Sequence, residues 1–86
     1  MSVVGSIPQL GNWSKTDEHL MEWTDGHIWV SKTPLRTTQK NFCYKYVLSR
    51  NGRVETWEKG VNRLADLENT TLLEDHWEHY KLKFQL

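Results

Sequence analysis

Phe42-Cys43-Tyr44-Lys45-Tyr46-Val47-Leu48 is the stretch of sequence that decides the fold. Large apolar side chains occupy every second position, which is the period of a β-strand with one buried face. The face expected in the core carries Phe42, Tyr44, Tyr46 and Leu48. The face expected to point outward carries Cys43, Lys45 and Val47. The segment therefore predicts a strand whose aromatic side lies in a hydrophobic core.

The same alternation recurs on both sides of this strand, and no segment of a dozen residues shows a helical stripe. We therefore expect one all-β domain, because 86 residues suffice for a single small core. Breaks at Asp25-Gly26, Pro34 and Asn51-Gly52 separate the strands. The expected strands are residues 2–6, 20–23, 27–33, 41–49, 53–58, 62–65 and 71 onward. Residues 7–19 should form a long irregular loop, and such loops on small scaffolds tend to carry function.

The turn after the central strand sets which residues face each other across the next pair. A four-residue turn over 49–52, with a bulge at its last residue, places Lys45 opposite Trp57. A two-residue turn in the same place would set Tyr46 opposite Trp57 instead. We favour the first register because it keeps Val54 with the core aromatics. It predicts that Lys45 and Trp57 share the outer face.

Charge and apolar content exclude several classes of partner. Eleven Lys and Arg residues balance eleven Asp and Glu residues, and the basic ones form no stripe. We therefore expect neither nucleic acid nor an acidic membrane as a partner. No apolar stretch approaches the length of a membrane span, and the first residues lack the features of a secretion signal. The single cysteine, Cys43, leaves no partner for a disulfide within the chain, so we expect a soluble domain held together by packing alone.

Two patterns for N-glycosylation, Asn12-Trp13-Ser14 and Asn69-Thr70-Thr71, bear on where the protein resides. A glycan on Asn12 would lie beside a tryptophan that is well suited to bind a ligand. We therefore expect a cytoplasmic location, with secretion as the alternative.

Trp13 and Trp57 stand in polar, turn-rich surroundings, unlike the other tryptophans. An indole held on the surface offers an apolar plate with a polar rim, which suits a ligand with one apolar face and polar edges. Sugars have that shape. Trp29 lies in an apolar strand and is expected in the core, as is Trp77.

Catalytic and metal-binding constellations are absent from the sequence pattern. His76-Trp77-Glu78-His79 contains two imidazoles and a carboxylate, but residues three apart on a strand face opposite ways. Glu55 and Glu58 lie too close on one short strand to flank a glycosidic bond across a cleft. We therefore expect no metal, no cofactor and no enzymatic activity.

Two classes other than a sugar-binding module remain open. One is a single-strand nucleic-acid-binding β-barrel, and the other is a protein-interaction domain that uses its exposed tryptophans. The zero net charge argues against the first.

Four segments, taken in order, resemble the starch-binding domain family, carbohydrate-binding module family 20. They are Val3-Val4-Gly5-Ser6-Ile7-Pro8-Gln9-Leu10-Gly11-Asn12-Trp13, Asp25-Gly26-His27-Ile28-Trp29, Phe42-Cys43-Tyr44-Lys45-Tyr46 and Trp57-Glu58-Lys59-Gly60-Val61-Asn62-Arg63. Glu74-Asp75-His76-Trp77 resembles the closing strand of the family. We therefore divide the chain into a carbohydrate-binding domain at 1–77 and a strand-like extension at 78–86.

The resemblance implies a small antiparallel β-sandwich or distorted open barrel, immunoglobulin-like, that binds starch, glycogen or cyclodextrin-like α-glucans without cleaving them. It also implies attachment to a glucan-active enzyme, such as a glucanotransferase, an amylase or a glucan phosphatase, which the domain targets to polysaccharide. Carried over position by position, the sugar site comprises Trp13 and Trp57 as stacking plates, with Lys45, Glu58 and Asn62 as polar partners. Trp23 lies near an aromatic residue of the family's second site.

The chain departs from the family pattern in three places. Val54-Glu55-Thr56-Trp57 holds one residue more than many members place between the valine and the tryptophan. The opening strand of the family, expected before Val3, is missing, and part of the second sugar site is missing with it. Cys43 stands where a glutamate is common.

The end of the chain alternates beyond the point where the resemblance stops. Apolar residues at every second position of 80–86 predict a further strand. No Gly, Pro or Asn lies between Trp77 and Tyr80, so this tail is expected to prolong the final strand. A spare strand beside an open sheet edge favours strand exchange, which predicts a homodimer, with a frayed end as the alternative.

Overall fold

The computed structural model of the protein describes residues 1–14, 19–50, 53–68 and 72–85. The strands are β1 Ser2–Gly5, β2 Met21–Thr24, β3 Ile28–Ser31, β4 Asn41–Arg50, β5 Arg53–Trp57, β6 Arg63–Asp66, β7 Leu72–Trp77 and β8 Tyr80–Gln85. The first six predicted strands are confirmed to within one or two residues, whereas the single strand expected from residue 71 onward is two strands, β7 and β8. In the expected irregular loop, a 3-10 segment spans Pro8–Trp13. Among the described residues, no helix is long and apolar enough to cross a membrane.

The strands form two sheets, so the expected small β-sandwich is confirmed. In the first sheet β4 pairs with β1 on one edge and with both β5 and β6 on the other. β4 is long enough for this because β6 pairs with its first half and β5 with its second half. Lys45 and Tyr46 therefore face the gap between the end of β5 and the start of β6.

The second sheet has the order β2-β3-β8-β7. Its pairs are antiparallel except for β3 and β8, which run parallel. The sequence predicted antiparallel pairing alone, and this one pair makes the sheet mixed. Parallel pairing of β3 and β8 is possible because the intervening chain contributes strands to the opposite sheet before it returns.

The core lies between the sheets, and the predicted aromatic face of β4 forms much of it. Phe42, Tyr44 and Tyr46 are buried, and Leu48 packs against them. Trp29 and Trp77 pack partly buried against the same cluster, as predicted. The other buried members are Met1, Val3, Ile7, Leu10, Met21, Leu35, Ala65, Leu82 and Phe84.

The C-terminal tail does not prolong the final strand, so that expectation is wrong. The chain reverses at Glu78, whose φ of 57° supplies the left-handed conformation usually left to glycine. This conformation costs a non-glycine residue about 1–2 kcal/mol. Burial of Leu82 and Phe84, 1% and 0% exposed, contributes roughly 1.5–3 kcal/mol each. The free energy gained by burial therefore exceeds the cost of the left-handed residue. β8 lies between β3 and β7 in its own sheet, so the spare strand on which the dimer expectation depended does not exist.

The favoured register of β4 and β5 is wrong, and the alternative register is correct only for the two pairs next to residues 51–52, because a bulge follows them. Arg50 pairs with Arg53 and Ser49 with Val54, but Val47 pairs with Trp57. β5 therefore holds one more residue than β4 between these pairs, which accommodates the extra residue noted in the sequence. Val54 faces outward instead of joining the core. The turn residues Asn51 and Gly52 lie outside the described residues, as does the second glycosylation pattern.

We predict that Phe84→Ala lowers the free energy of unfolding by about 3–5 kcal/mol, since it leaves a cavity between the sheets. Chemical denaturation measures this loss. Leu72→Ala, at a side chain 41% exposed at the sheet edge, serves as the matched control and should cost less than about 1 kcal/mol. A chain truncated after His79 that unfolds with unchanged midpoint and cooperativity would show that β8 is dispensable.

Candidate functional site

A hydrogen-bonded carboxylate joins the two sheets. The hydroxyls of Tyr44 and Tyr46 both donate to Oδ2 of Asp75, each at 2.6 Å. The tyrosines belong to β4 and Asp75 to β7, so the contact spans the core. The Asp75 side chain is only 17% exposed, and a carboxylate so largely removed from water is costly unless it is bonded and paired, so these donors stabilise the contact between the sheets.

Arg63, at the start of β6, extends this contact into a network. Its Nε donates to Oε2 of Glu58 at 2.7 Å, and its Nη2 donates to the carbonyl oxygen of His76 at 2.6 Å. Its Nη1 lies 3.4 Å from Oδ1 of Asp75, and the guanidinium stands 5.3 Å from the ring centroid of Tyr46. Arg63 therefore ties the segment that follows β5 to both sheets.

The network shifts the pKa values of its members in the directions that its geometry dictates. Burial, together with the hydrogen bond to and charge of Asp75, raises the pKa of the Tyr44 and Tyr46 hydroxyls well above the usual range. For Arg63, burial lowers the pKa, but Glu58 and Asp75 outweigh it and the net pKa is raised. Both tyrosines stay neutral and Arg63 stays charged.

The segment 58–62 between β5 and β6, here called the site loop, is anchored from two sides. The Glu58 carboxylate is only 8% exposed and also accepts the N–H of Tyr46 at 3.3 Å through Oε1. From the outer face, Nζ of Lys45 donates to the carbonyl oxygens of Glu58 at 3.1 Å and Gly60 at 2.6 Å. Gly60, with φ of 95°, allows the turn that aims its carbonyl at this ammonium. The site loop is therefore held in one conformation.

Trp57 lies at the junction of β5 and the site loop. It is opposite Val47, on the outer face that it shares with Lys45, and it is 40% exposed. The predicted sharing of one face is therefore confirmed, although the register is not. Asn62 is exposed at the other end of the site loop. The structure thus groups Lys45, Trp57, Glu58 and Asn62 around the gap beside β4.

Trp13 ends the 3-10 segment, on the β1 side of β4. Gly11, Asn12 and Trp13 have φ values of 78°, 47° and 67° in succession. Left-handed conformations of non-glycine residues persist only where surrounding contacts hold them. Here Ser14 donates to the carbonyl oxygen of Gly11 through its N–H at 2.9 Å and its hydroxyl at 3.0 Å. Trp13 is half-buried in this turn.

Trp23 lies in the other sheet, away from the site loop. It pairs with Trp29 across β2 and β3 and is 48% exposed. Its ring meets His27 edge-on at 6.2 Å, and His27 in turn lies 6.2 Å from His79. The structure therefore separates Trp23 from the residues around Lys45.

Sequence reasoning missed the part played by Arg63 and Asp75. Both residues fall inside the segments that carry the family resemblance, but neither was assigned a role. Their partners come from β4, β5 and β7, so no local spacing reveals the network. The available signal was the position of Asp75 on the same strand face as Leu73 and Trp77. An acidic residue on a face that packs against a core needs a partner.

Comparison with known proteins places these features in a family. A model described as starch binding domain matches residues 1–77. The 4-alpha-glucanotransferase DPE2 of Oryza sativa subsp. japonica is 35% identical over 66 residues, which cover 77% of this chain and 7% of that protein. The chain thus spans a small part of this relative's length. No solved structure gives a significant match.

The chain belongs to the starch-binding domain family of carbohydrate-binding modules. It is a non-catalytic α-glucan-binding domain, as the sequence predicted. Neither the nucleic-acid-binding nor the protein-interaction alternative gains support from these comparisons.

We predict that the domain loses stability in alkali as pH rises past about 10, the ordinary pKa of tyrosine. The folded state raises the pKa of Tyr44 and Tyr46, so above that pH the unfolded chain releases protons that the folded chain keeps. Denaturation midpoints measured from pH 8 upward show how steeply the stability of the domain falls with pH. The variant Tyr44→Phe/Tyr46→Phe should show a shallower slope, and an unchanged slope would contradict the account.

Proposed function

We propose that this domain holds one segment of an α-1,4-glucan on the outer face of its first sheet, between Trp57 and Trp13. The observation that carries the proposal is the setting of Trp57. Its indole is partly exposed at the edge of the site loop, whose Glu58 carboxylate is bonded to Arg63 and whose carbonyl oxygens are bonded to Lys45 of β4. A rigid apolar plate of this kind stacks on a sugar ring at little entropic cost, and such stacking contributes about 0.5–1.5 kcal/mol beyond area burial.

The polar residues take different parts in this site. An ammonium has three donors, and two of those on Lys45 reach carbonyl oxygens of the site loop, which leaves one for a sugar hydroxyl. Asn62 offers an exposed amide with both donor and acceptor groups. Glu58 is engaged with Arg63 and the backbone of Tyr46, so its part is to hold Trp57 and Asn62 in place.

Weak binding suits the role that we propose for the domain. One short site should bind a maltooligosaccharide with a free energy of roughly −4 to −8 kcal/mol. An attached enzyme then gains local concentration on starch or glycogen and still moves along it. The glucanotransferase relative favours a parent enzyme of that kind, with an amylase or a glucan phosphatase as alternatives. The proposal includes a cytoplasmic location and no nucleic-acid or membrane partner.

Trp23 is proposed as part of a second, separate sugar contact. It is more exposed than Trp57, and its position on the other sheet would let a second glucan segment bind without crowding the first. Loss of Trp23 should therefore leave binding of one short ligand at the first site intact.

We predict that Trp57→Ala and Trp13→Ala each weaken binding of β-cyclodextrin by at least about tenfold, the equivalent of about 1.4 kcal/mol. Each change removes a stacking plate, and calorimetry measures the affinity. Leu72→Ala, similar to Trp57 in exposure but on the second sheet, is the control and should bind normally.

The two variants should also unfold cooperatively, which separates loss of the site from loss of the fold. Normal affinity in both variants would refute the assignment of the plates. Release of reducing sugar from starch by the purified domain would refute its non-catalytic role.

A further inference from the structure

The outer face of the first sheet carries a second apolar feature beside the proposed sugar site. Leu64 in β6 is 71% exposed, and Val61 in the site loop is 90% exposed. The neighbours of Leu64 along β6 point inward, since Arg63 joins the buried network and Ala65 is fully buried. Leu64 therefore projects outward by the ordinary alternation of a strand.

Register places Leu64 in line with Trp57 and Lys45. Leu64 pairs with Cys43, and Trp57 pairs with Val47, so both flank β4 on the same edge and the same face. Four residues of β4 separate these levels, which is about 13 Å at ~3.3 Å per residue. Lys45 lies midway. Trp57, Lys45 and Leu64 thus follow one another along the same face of the sheet, and they are here called the outer row.

The composition of the outer row suits a polymer more than a single sugar. Each glucose unit has an apolar ring face and polar hydroxyl edges, so an apolar side chain at each end of the row could cover the faces of two units while the ammonium bonds a hydroxyl between them. The distance between the ends exceeds one glucose ring. Val61 is a second exposed apolar residue, three positions before Leu64 in the chain.

We propose that Leu64, with Val61, contacts the sugar units that follow the one stacked on Trp57, so that the domain binds long α-glucan chains more tightly than short ones. This inference rests on the proposed function of the Trp57 site. It assigns chain-length specificity to Leu64, whereas Trp57 is required for every α-glucan ligand. The contact is apolar, because the faces of sugar rings expose C–H groups that an aliphatic side chain covers.

Calorimetry with maltose and with maltoheptaose tests the proposal on Leu64→Ser. We expect maltoheptaose affinity to fall about fivefold and maltose affinity to stay within about twofold of the unchanged domain. Val61→Ser should act in the same direction. The control is Leu72→Ser, an exposed leucine on the second sheet, which should change neither affinity. Denaturation midpoints of all variants verify that the fold is retained.

The outcomes separate this proposal from the function on which it rests. If Trp57→Ala binds both sugars normally, the proposed function itself fails. If Trp57→Ala loses binding but Leu64→Ser leaves the chain-length preference unchanged, or lowers both affinities equally, only the role of Leu64 is overturned. Light scattering that shows self-association lost in Leu64→Ser, with sugar affinities intact, would assign the row to contact between copies and also overturn it.

Discussion

The Asp75 carboxylate between Tyr44, Tyr46 and Arg63 is the constraint on which the rest of the structure depends. A carboxylate largely removed from water between two sheets is tolerated only where donors surround it, so loss of one of these partners should destabilise the fold. Two hydroxyls and a guanidinium meet that demand. The same guanidinium holds Glu58, so the packing of the core and the conformation of the site loop are set by one group.

The two faces of β4 make different contacts. Its inner tyrosines bind Asp75, while its outward Lys45 binds carbonyl oxygens of the site loop. This division is possible because β5 and β6 share one edge of β4 and leave a gap where the loop crosses. The bulge in β5 then turns Trp57 to the outer face beside that gap. The proposed ligand plate is thus positioned by the pairing of β5 with β4 and by the bonds of Glu58 to Arg63 and Tyr46.

The alternation of apolar and polar residues predicted the strands and the aromatic face of β4, because that alternation is visible over a few consecutive positions of the sequence. It also grouped Lys45 and Trp57 on one face. A bulge was predicted at Gly52 but lies between Leu48 and Ser49, since the sequence at 49–52 permits more than one register. The reversal at Glu78 was not predicted because no glycine marks it. Arg63 and Asp75 escaped for a different reason. Their bonds join strands that are distant in sequence, and only the assembled sandwich brings them together.

The central claim is that Trp57 and Trp13 face the glucan while the other indoles support the fold or a separate contact. The most direct test follows the indole N–H signals of the five tryptophans by NMR as β-cyclodextrin is added. The account predicts that the signals of Trp57 and Trp13 shift first and together, and that those of Trp29 and Trp77, which pack on the core, stay in place. A titration in which bound sugar leaves the Trp57 signal unmoved would contradict it.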